Sequence, residues 1–177
     1  MKPTLSRFLF AGVGLLLASQ AQAATVTGQI NASLVLISSC QVNGSTATTG
    51  VNFGALNFGT QTALFTTAGA QVLGSGSSAL SILCSNGAIP VIKVGVGAHD
   101  GQGTGGTRAL YDGSANYVAY DFFTDSGLTT PLAINGTITL PTSSGAAQTV
   151  NLYGKAVGKA GLPPGTYTDT VAVEFSF

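Results

Sequence analysis

The chain has 177 residues, of which 45% are hydrophobic and only 7% are charged, with six basic and six acidic side chains. It contains no basic cluster that could neutralise phosphates, which argues against a nucleic-acid partner. A surface built mainly from Thr, Ser, Asn, Gln and Gly carries little charge to keep molecules apart, and such a surface suits a protein that works inside an assembly.

The first 23 residues have the pattern of a secretory signal peptide. Lys2 and Arg7 give a basic start, residues 8–17 are apolar, and residues 21–23 are the small-x-small triplet AQA. The apolar run is too short to span a bilayer as a permanent helix. We therefore expect cleavage after Ala23 and export of the mature chain. Loss of Lys2 and Arg7 leaves four basic and six acidic residues, a net charge of 4 − 6 = −2.

The stretch after the signal peptide alternates like a β-strand. Its apolar series is Val26, Gly28, Ile30, Ala32 and Leu34, with Thr27, Gln29, Asn31 and Ser33 on the opposite face. Residues 34–37 are apolar on both faces, which predicts a core strand that leads into Cys40. The sequence thus divides into an amphipathic segment, residues 24–33, and a domain, residues 34–177. On pattern alone, residues 24–33 could equally be an edge strand or a frayed end.

Two cysteines remain in the mature chain, Cys40 and Cys84. In an exported protein an isolated pair predicts a disulfide. The loop that it closes has about 45 residues, for which chain entropy allows roughly 4 kcal/mol of stabilisation. Two free thiols or a metal site are the alternatives, but a chain with one histidine lacks the ligands of a Cys/His zinc site.

The remaining elements are short runs of high β-propensity, separated by Gly, Asn, Ser or Pro. They are residues 51–58, 79–84, 90–96, 117–124, 134–140, 148–153 and 167–177. Strands at this spacing predict an all-β antiparallel sandwich in a single domain. The last run places Val171, Val173, Phe175 and Phe177 on one face, and the sequence ends inside it.

No motif predicts catalysis, a cofactor or a metal. Residues 101–106 match GxGxxG, but the following sequence cannot form the helix that a dinucleotide site requires. His99 and Asp100 are adjacent, so on a strand their side chains point to opposite faces. Asp121 and Asp125 could be a glycosidase pair, although solvent-facing carboxylates explain them better. We therefore predict that the protein is not an enzyme.

Several motifs in order resemble the spore coat protein U domain family. They are "ATVTGQINASLVLISSCQVNG", "VNFGALNFGT", "LSILCSNG", "TRALYDG", "YVAYDFFTDSGLTTPL" and "AQTVNLYGKAVGKAGLPPGTYTDTVAVEFSF", which together span nearly all of the mature chain. The family includes the major subunits of archaic, Csu-type chaperone–usher pili. Lys155 stands where the family more often has Arg.

The resemblance implies an incomplete immunoglobulin-like β-sandwich that is completed by a donor strand from a neighbouring subunit. In such pilins the last strand is missing, and a periplasmic chaperone fills the resulting groove before the next subunit does. Residues 24–33 would be the donor, with Val26, Gly28, Ile30, Ala32 and Leu34 entering the groove. The groove edge, which the chaperone also uses, would be Val171, Val173, Phe175 and Phe177.

The resemblance also implies a function and partners. The chain would be a shaft subunit of a surface pilus that supports attachment and biofilm formation. Its partners would be further copies of itself, a periplasmic chaperone, an outer-membrane usher and a tip adhesin, without any cofactor. Two alternatives remain: a secreted coat or matrix protein of the same fold, and a monomeric secreted binding domain whose residues 24–33 close its own sheet.

Overall fold

The computed structural model describes residues 24–177, so the expected signal peptide lies outside the described residues. The chain forms two units, Met1–Val35 and Leu36–Phe177. In the first unit, residues 24–35 contain no helix or strand, and each of these residues is exposed. Within residues 24–177, no helix is long and apolar enough to cross a membrane.

The second unit is built from short strands. They are β1 (Cys40–Val42), β2 (Ala55–Leu56), β3 (Thr67–Leu73), β4 (Leu80–Cys84), β5 (Val91–Gly97), β6 (Arg108–Tyr111), β7 (Tyr117–Phe123), β8 (Pro131–Leu132), β9 (Gly136–Thr139), β10 (Gln148–Val150), β11 (Tyr153–Val157) and β12 (Val171–Ser176). One 3-10 turn, Ser75–Ser77, joins β3 to β4. Every paired strand is antiparallel to its neighbour, which confirms the predicted all-β antiparallel fold.

The strands form three sheets that share one core. Their orders are β1-β4-β10, β12-β5-β9 and β2-β3-β11-β7-β6, with β8 beside β7. Alternation along the strands supplies the core, because alternate residues of β4, of β7 and of the first half of β5 are buried in it. The most deeply buried apolar side chains include Leu80, Ile82, Ile92, Val94 and Val150.

Residues 34–37 are not the core strand that their composition predicts. Their side chains are 83–85% exposed, and β1 begins only at Cys40. A strand that is apolar on both faces stays buried only if other elements cover both faces. Within residues 24–177, residues 34–37 form no strand ladder, so the prediction is wrong for the isolated chain.

Cys40 and Cys84 are joined by a disulfide. They lie directly opposite each other, at the first residue of β1 and the last residue of β4. Backbone hydrogen bonds alone would hold a strand of three residues weakly, because such a strand has few of them. The disulfide therefore fixes the point at which the exposed N-terminal segment enters the domain.

One cation lies in the core. The Arg108 side chain is fully buried, and its Nη1 donates a hydrogen bond to the Gly95 carbonyl at 2.7 Å. Its guanidinium carbon lies 5.1 Å from the centre of the Phe122 ring, and Nη1 lies 3.8 Å from a carboxylate oxygen of Asp100. A buried guanidinium needs such partners, because desolvation of an unpaired charge costs several kcal/mol.

Candidate functional site: an apolar groove beside the last strand

Strand β12 forms one edge of an apolar groove. It is the outermost strand of its sheet and pairs there with β5 alone. Val171, Val173 and Phe175 are half-buried, whereas the residues between them are exposed. Since β12 presents one unpaired backbone edge and one incompletely covered apolar face, it can accept another strand.

The first part of the groove is a cavity of about 450 Å³ between β12 and residues 51–58. Its walls are mostly apolar and include Phe53, Leu56, Phe58, Leu110, Val171 and Val173. Its floor is the core itself, since Leu80, Ile92 and Val94 line it and are 1% exposed. The centre of the sandwich is therefore reachable from outside along β12.

A second cavity, of about 750 Å³, continues the groove beyond the start of β12. Residues 55–63 and Phe65 form one wall, and residues 162–169 form the other. The two cavities share the lining residues Ala55, Leu56, Phe58, Leu110 and Asp169. They are therefore successive parts of one groove.

Two aromatic rings meet across the groove near the far end of β12. Phe53 and Phe175 pack edge to face, with ring centroids 6.4 Å apart. Phe175 also packs against Phe177, at 5.5 Å. The groove therefore has less room beside Phe175 than beside Val173.

A buried carboxylate anchors the junction of the two cavities. The Asp169 side chain is 1% exposed and accepts hydrogen bonds from the Tyr120 hydroxyl at 2.8 Å and the Ala98 N–H at 3.0 Å. His99 Nδ1 lies 3.2 Å from the same carboxylate. Burial, followed by the hydrogen bond to Asp169, raises the pKa of Tyr120, so this phenol remains a donor. Because Tyr120 belongs to β7, the bond ties the start of β12 to the opposite sheet.

The expected donor residues lie in the first unit and point into solvent. Val26 is 94% exposed, Ile30 is 97% exposed and Leu34 is 83% exposed. Contiguous apolar side chains as exposed as these are typical of interaction surfaces. The expected groove-edge residues lie in the second unit, where Val171, Val173 and Phe175 line one face of β12, while Phe177 follows the strand.

The polar residues singled out from the sequence have structural surroundings. His99 contacts Asp169 rather than its neighbour Asp100. Asp121 accepts hydrogen bonds from Thr107, and Asp125 caps the turn that follows it. Within residues 24–177, no cluster of three His, Cys, Asp or Glu side chains could hold a metal ion.

Sequence reasoning missed the two walls that oppose β12. Residues 51–58 were predicted as a strand, but only Ala55–Leu56 is one, and the rest forms an irregular wall of the groove. Of residues 162–168, only Tyr167 and Thr168 lay within a predicted strand run. Loop walls have no periodicity, so composition alone could not assign them to a groove.

Comparison with known proteins gives a structural and a sequence relative. The fold is similar to the CsuC–CsuE chaperone–tip adhesion subunit pre-assembly complex from archaic chaperone–usher Csu pili of Acinetobacter baumannii, with 16% identity and a TM-score of 0.48. That match covers 80% of this chain but only 40% of the other. Protein U of Myxococcus xanthus is 29% identical over 176 residues, which cover 94% of this chain and 93% of the relative.

The family comparison covers most of the sequence. Residues 26–174 match the Spore Coat Protein U domain, a range that includes most of the exposed N-terminal segment, the lining of both groove cavities and the first four residues of β12. This chain therefore belongs to the Spore Coat Protein U domain family.

Proposed function

We propose that this protein is a structural shaft subunit of a surface pilus that polymerises by donor-strand exchange and supports attachment and biofilm formation. The observation that best supports this proposal is that one chain contains both a groove with an open strand edge and an exposed segment with the alternation of a donor strand. The groove beside β12 lacks a strand, and the exposed series from Val26 to Leu34 has the alternation of one. Addition of a strand to an open sheet edge is an established mode of protein recognition.

The energetics support joining two copies. Burial of Val26, Ile30 and Leu34 is worth about 1.5–3 kcal/mol each, or about 5–9 kcal/mol together. New backbone hydrogen bonds along β12 add about 1 kcal/mol each. This sum rivals the whole stability of an ordinary domain, about 5–15 kcal/mol. A subunit with an empty groove should therefore be marginally folded, and a filled one should be very stable.

The same reasoning defines the partners. Before assembly the groove needs a temporary strand, which in this proposal comes from a periplasmic chaperone. An outer-membrane usher then exchanges that strand for the donor of the next subunit, and a tip adhesin ends the fibre. The chain is exported through the periplasm to the cell surface after removal of its signal peptide.

Two substitutions on opposite faces of the donor test the proposal. Ile30→Asp places a carboxylate in the apolar groove of the next subunit, at a cost of several kcal/mol. Thr27→Asp places the same charge on the solvent face. We expect the Ile30 variant to bind the chaperone normally but to form no fibres, whereas the Thr27 variant polymerises like wild type, as seen by electron microscopy and size-exclusion chromatography.

Equal assembly of both variants would show that the assigned face of the donor is wrong. A native chain that purifies as a stable monomer without any partner would overturn the proposal, and a binding domain that closes its own sheet would replace it.

A second candidate is a subunit of a secreted coat or matrix. It is favoured by the similarity to Protein U and by the name of the family. The same groove and donor would build such a layer. Electron microscopy of cells with and without the gene separates the two candidates, because one predicts fibres and the other a layer.

A further inference from the structure

We infer that the groove extends beyond the donor strand proper, and that the second cavity of one copy binds residues 34–37 of the next copy. The inference rests on the proposed function and assigns a binding site to these four residues. It also fixes the register of the donor, with Ile30 beside Val173.

The composition of residues 34–37 matches the shape of the second cavity. Leu34, Val35, Leu36 and Ile37 are apolar on both strand faces and 83–85% exposed. An amphipathic strand needs cover on one side only, but this stretch needs cover on both. The second cavity offers two walls, residues 55–63 and Phe65 on one side and residues 162–169 on the other.

The direction of the donor leads these residues to that cavity. Every strand pair in the domain is antiparallel, so we take the donor to run antiparallel to β12. A chain that passes Phe175 and then Val173 continues past Asp169, where the first cavity opens into the second. Residues that follow Ile30 therefore approach the walls that contain Leu162 and Phe65.

The register of the donor follows from the equal lengths of the donor series and the β12 edge, and from the contact of Phe53 with Phe175, where the groove is narrow. Leu34 lies 34 − 26 = 8 positions after Val26, and Phe177 lies 177 − 169 = 8 positions after Asp169. With the two series aligned, Ile30 lies beside Val173, where the first cavity is open. Gly28 then lies beside Phe175, where the Phe53 ring already occupies the groove.

The same alignment places the end of the donor at the second cavity. Leu34 lies beside Asp169, and Leu36 lies beside Tyr167, inside the second cavity. Ser38 and Ser39 are then the short connection to Cys40 in the donor's own domain. The apolar stretch thus lies within the second cavity in this alignment.

Two fusion proteins test the inference. Both fusions start from the full mature chain with Ile30→Asp in its own N-terminal segment. After Phe177 and a Gly/Asn-rich linker, one fusion carries a second copy of residues 24–34, and the other carries a second copy of residues 24–37. The appended copy fills the groove in cis at a high effective concentration. Since the longer copy also buries Leu36 and Ile37, its melting temperature should be higher by about 6–12 °C.

A matched pair of substitutions locates the effect. Leu162 lines the second cavity, whereas Leu64 is 87% exposed and does not line it. In the Leu162→Ala background the difference between the two fusions should fall by at least half. In the Leu64→Ala background it should be unchanged.

The possible results of the fusion experiment separate the inference from the proposed function. A higher melting temperature for the longer fusion that depends on Leu162 supports the inference. Two folded monomers with equal melting temperatures overturn the inference and leave the proposed function standing. If neither fusion gives a folded monomer, strand exchange itself is wrong, and the inference falls with it.

Discussion

At the scale of single residues, the sequence contains few charged side chains, and the buried ones, Asp169 and Arg108, have specific hydrogen-bond partners. Asp169 joins β12 to the opposite sheet through Tyr120 and also holds the backbone N–H of Ala98. Arg108 donates to a backbone carbonyl of β5, the strand that pairs with β12. Both groups therefore position the edge strand of the groove. In contrast, the ion pair between Lys93 and Glu174 lies at the surface.

Arg108 and Lys93 give a prediction that separates buried from surface charge. Arg108→Lys keeps the charge but loses the planar group that both bonds Gly95 and stacks on Phe122. Loss of one charged hydrogen bond in the core should lower the free energy of unfolding by about 1.5–3 kcal/mol. Lys93→Arg keeps an exposed ion pair and should change it by less than about 1 kcal/mol. Urea denaturation of the donor-complemented subunit measures both values, and equal effects would contradict this assignment.

Asp125 gives a prediction on pH. The backbone N–H of Thr130, at 2.6 Å, and further bonds from Thr129 hold the pKa of the Asp125 carboxyl below its ordinary value of 3.8. A carboxyl whose pKa is lower in the folded state stabilises the fold above the unfolded pKa and loses this effect as the pH falls through the folded pKa. Below about pH 3.8, the melting temperature of wild type should therefore fall more steeply than that of Asp125→Asn. Parallel curves would show that the turn does not depend on the charge.

At the scale of elements, strands with runs of high β-propensity could be predicted from the sequence, and strands rich in Ala and Gly could not. The predicted runs over β4, β5, β7 and β12 all overlap the strands of the structure. The predicted runs leave out β3 (TAGAQVL) and include only the first residue of β11 (YGKAV), because Ala and Gly have low β-propensity. At Gly154 the packing also favours a residue without a side chain, because a Cβ atom there would overlap the Leu56 side chain.

The candidate site shows the same division. One edge of the groove could be predicted, since alternation over Val171–Ser176 reveals the inward face. The opposite walls are loops whose positions depend on long-range contacts, and those contacts leave no periodic pattern. Residues 34–37 are apolar on both faces, which predicted burial, but all four are exposed in the described structure.

The narrow point of the groove gives a prediction for the donor strand. In the inferred register, Gly28→Val in the appended copy of the 24–37 fusion adds a side chain beside the contact between the rings of Phe53 and Phe175. Overpacking should lower the free energy of unfolding by about 1–3 kcal/mol. Phe53→Ala should recover part of this loss, and a double-mutant cycle measures the coupling.

Gln29→Val is the matched control for Gly28→Val, because it places the same side chain on the solvent face of the donor. It should have little effect on unfolding. If Gln29→Val destabilises the fusion and Gly28→Val does not, the register is shifted by one residue.

At the scale of the whole molecule, the domain must survive export before its groove is permanently filled. The Cys40–Cys84 disulfide spans 44 positions of sequence and closes the loop that holds the wall at residues 51–58. Cross-linking removes conformations from the unfolded chain, which stabilises the fold most when the native domain is marginal.

Replacement of both cysteines by serine should therefore lower the free energy of unfolding by about 4 kcal/mol. The yield of exported protein should fall with it, while reduction of the wild-type protein should give a similar loss. Mass spectrometry of exported protein should find Cys40 linked to Cys84, two hydrogens lighter than the dithiol. Free thiols in exported material would contradict this prediction.

The position of the disulfide has a mechanical consequence in a fibre of the proposed kind. Tension between neighbouring subunits would pass through the seated donor into Ser39 and reach the domain at Cys40. Strand β1 has three residues and could be peeled from β4 one hydrogen bond at a time. A covalent link at its first residue transfers the load to β4 before β1 is pulled at all. Under load, β1 and β4 therefore move as one unit.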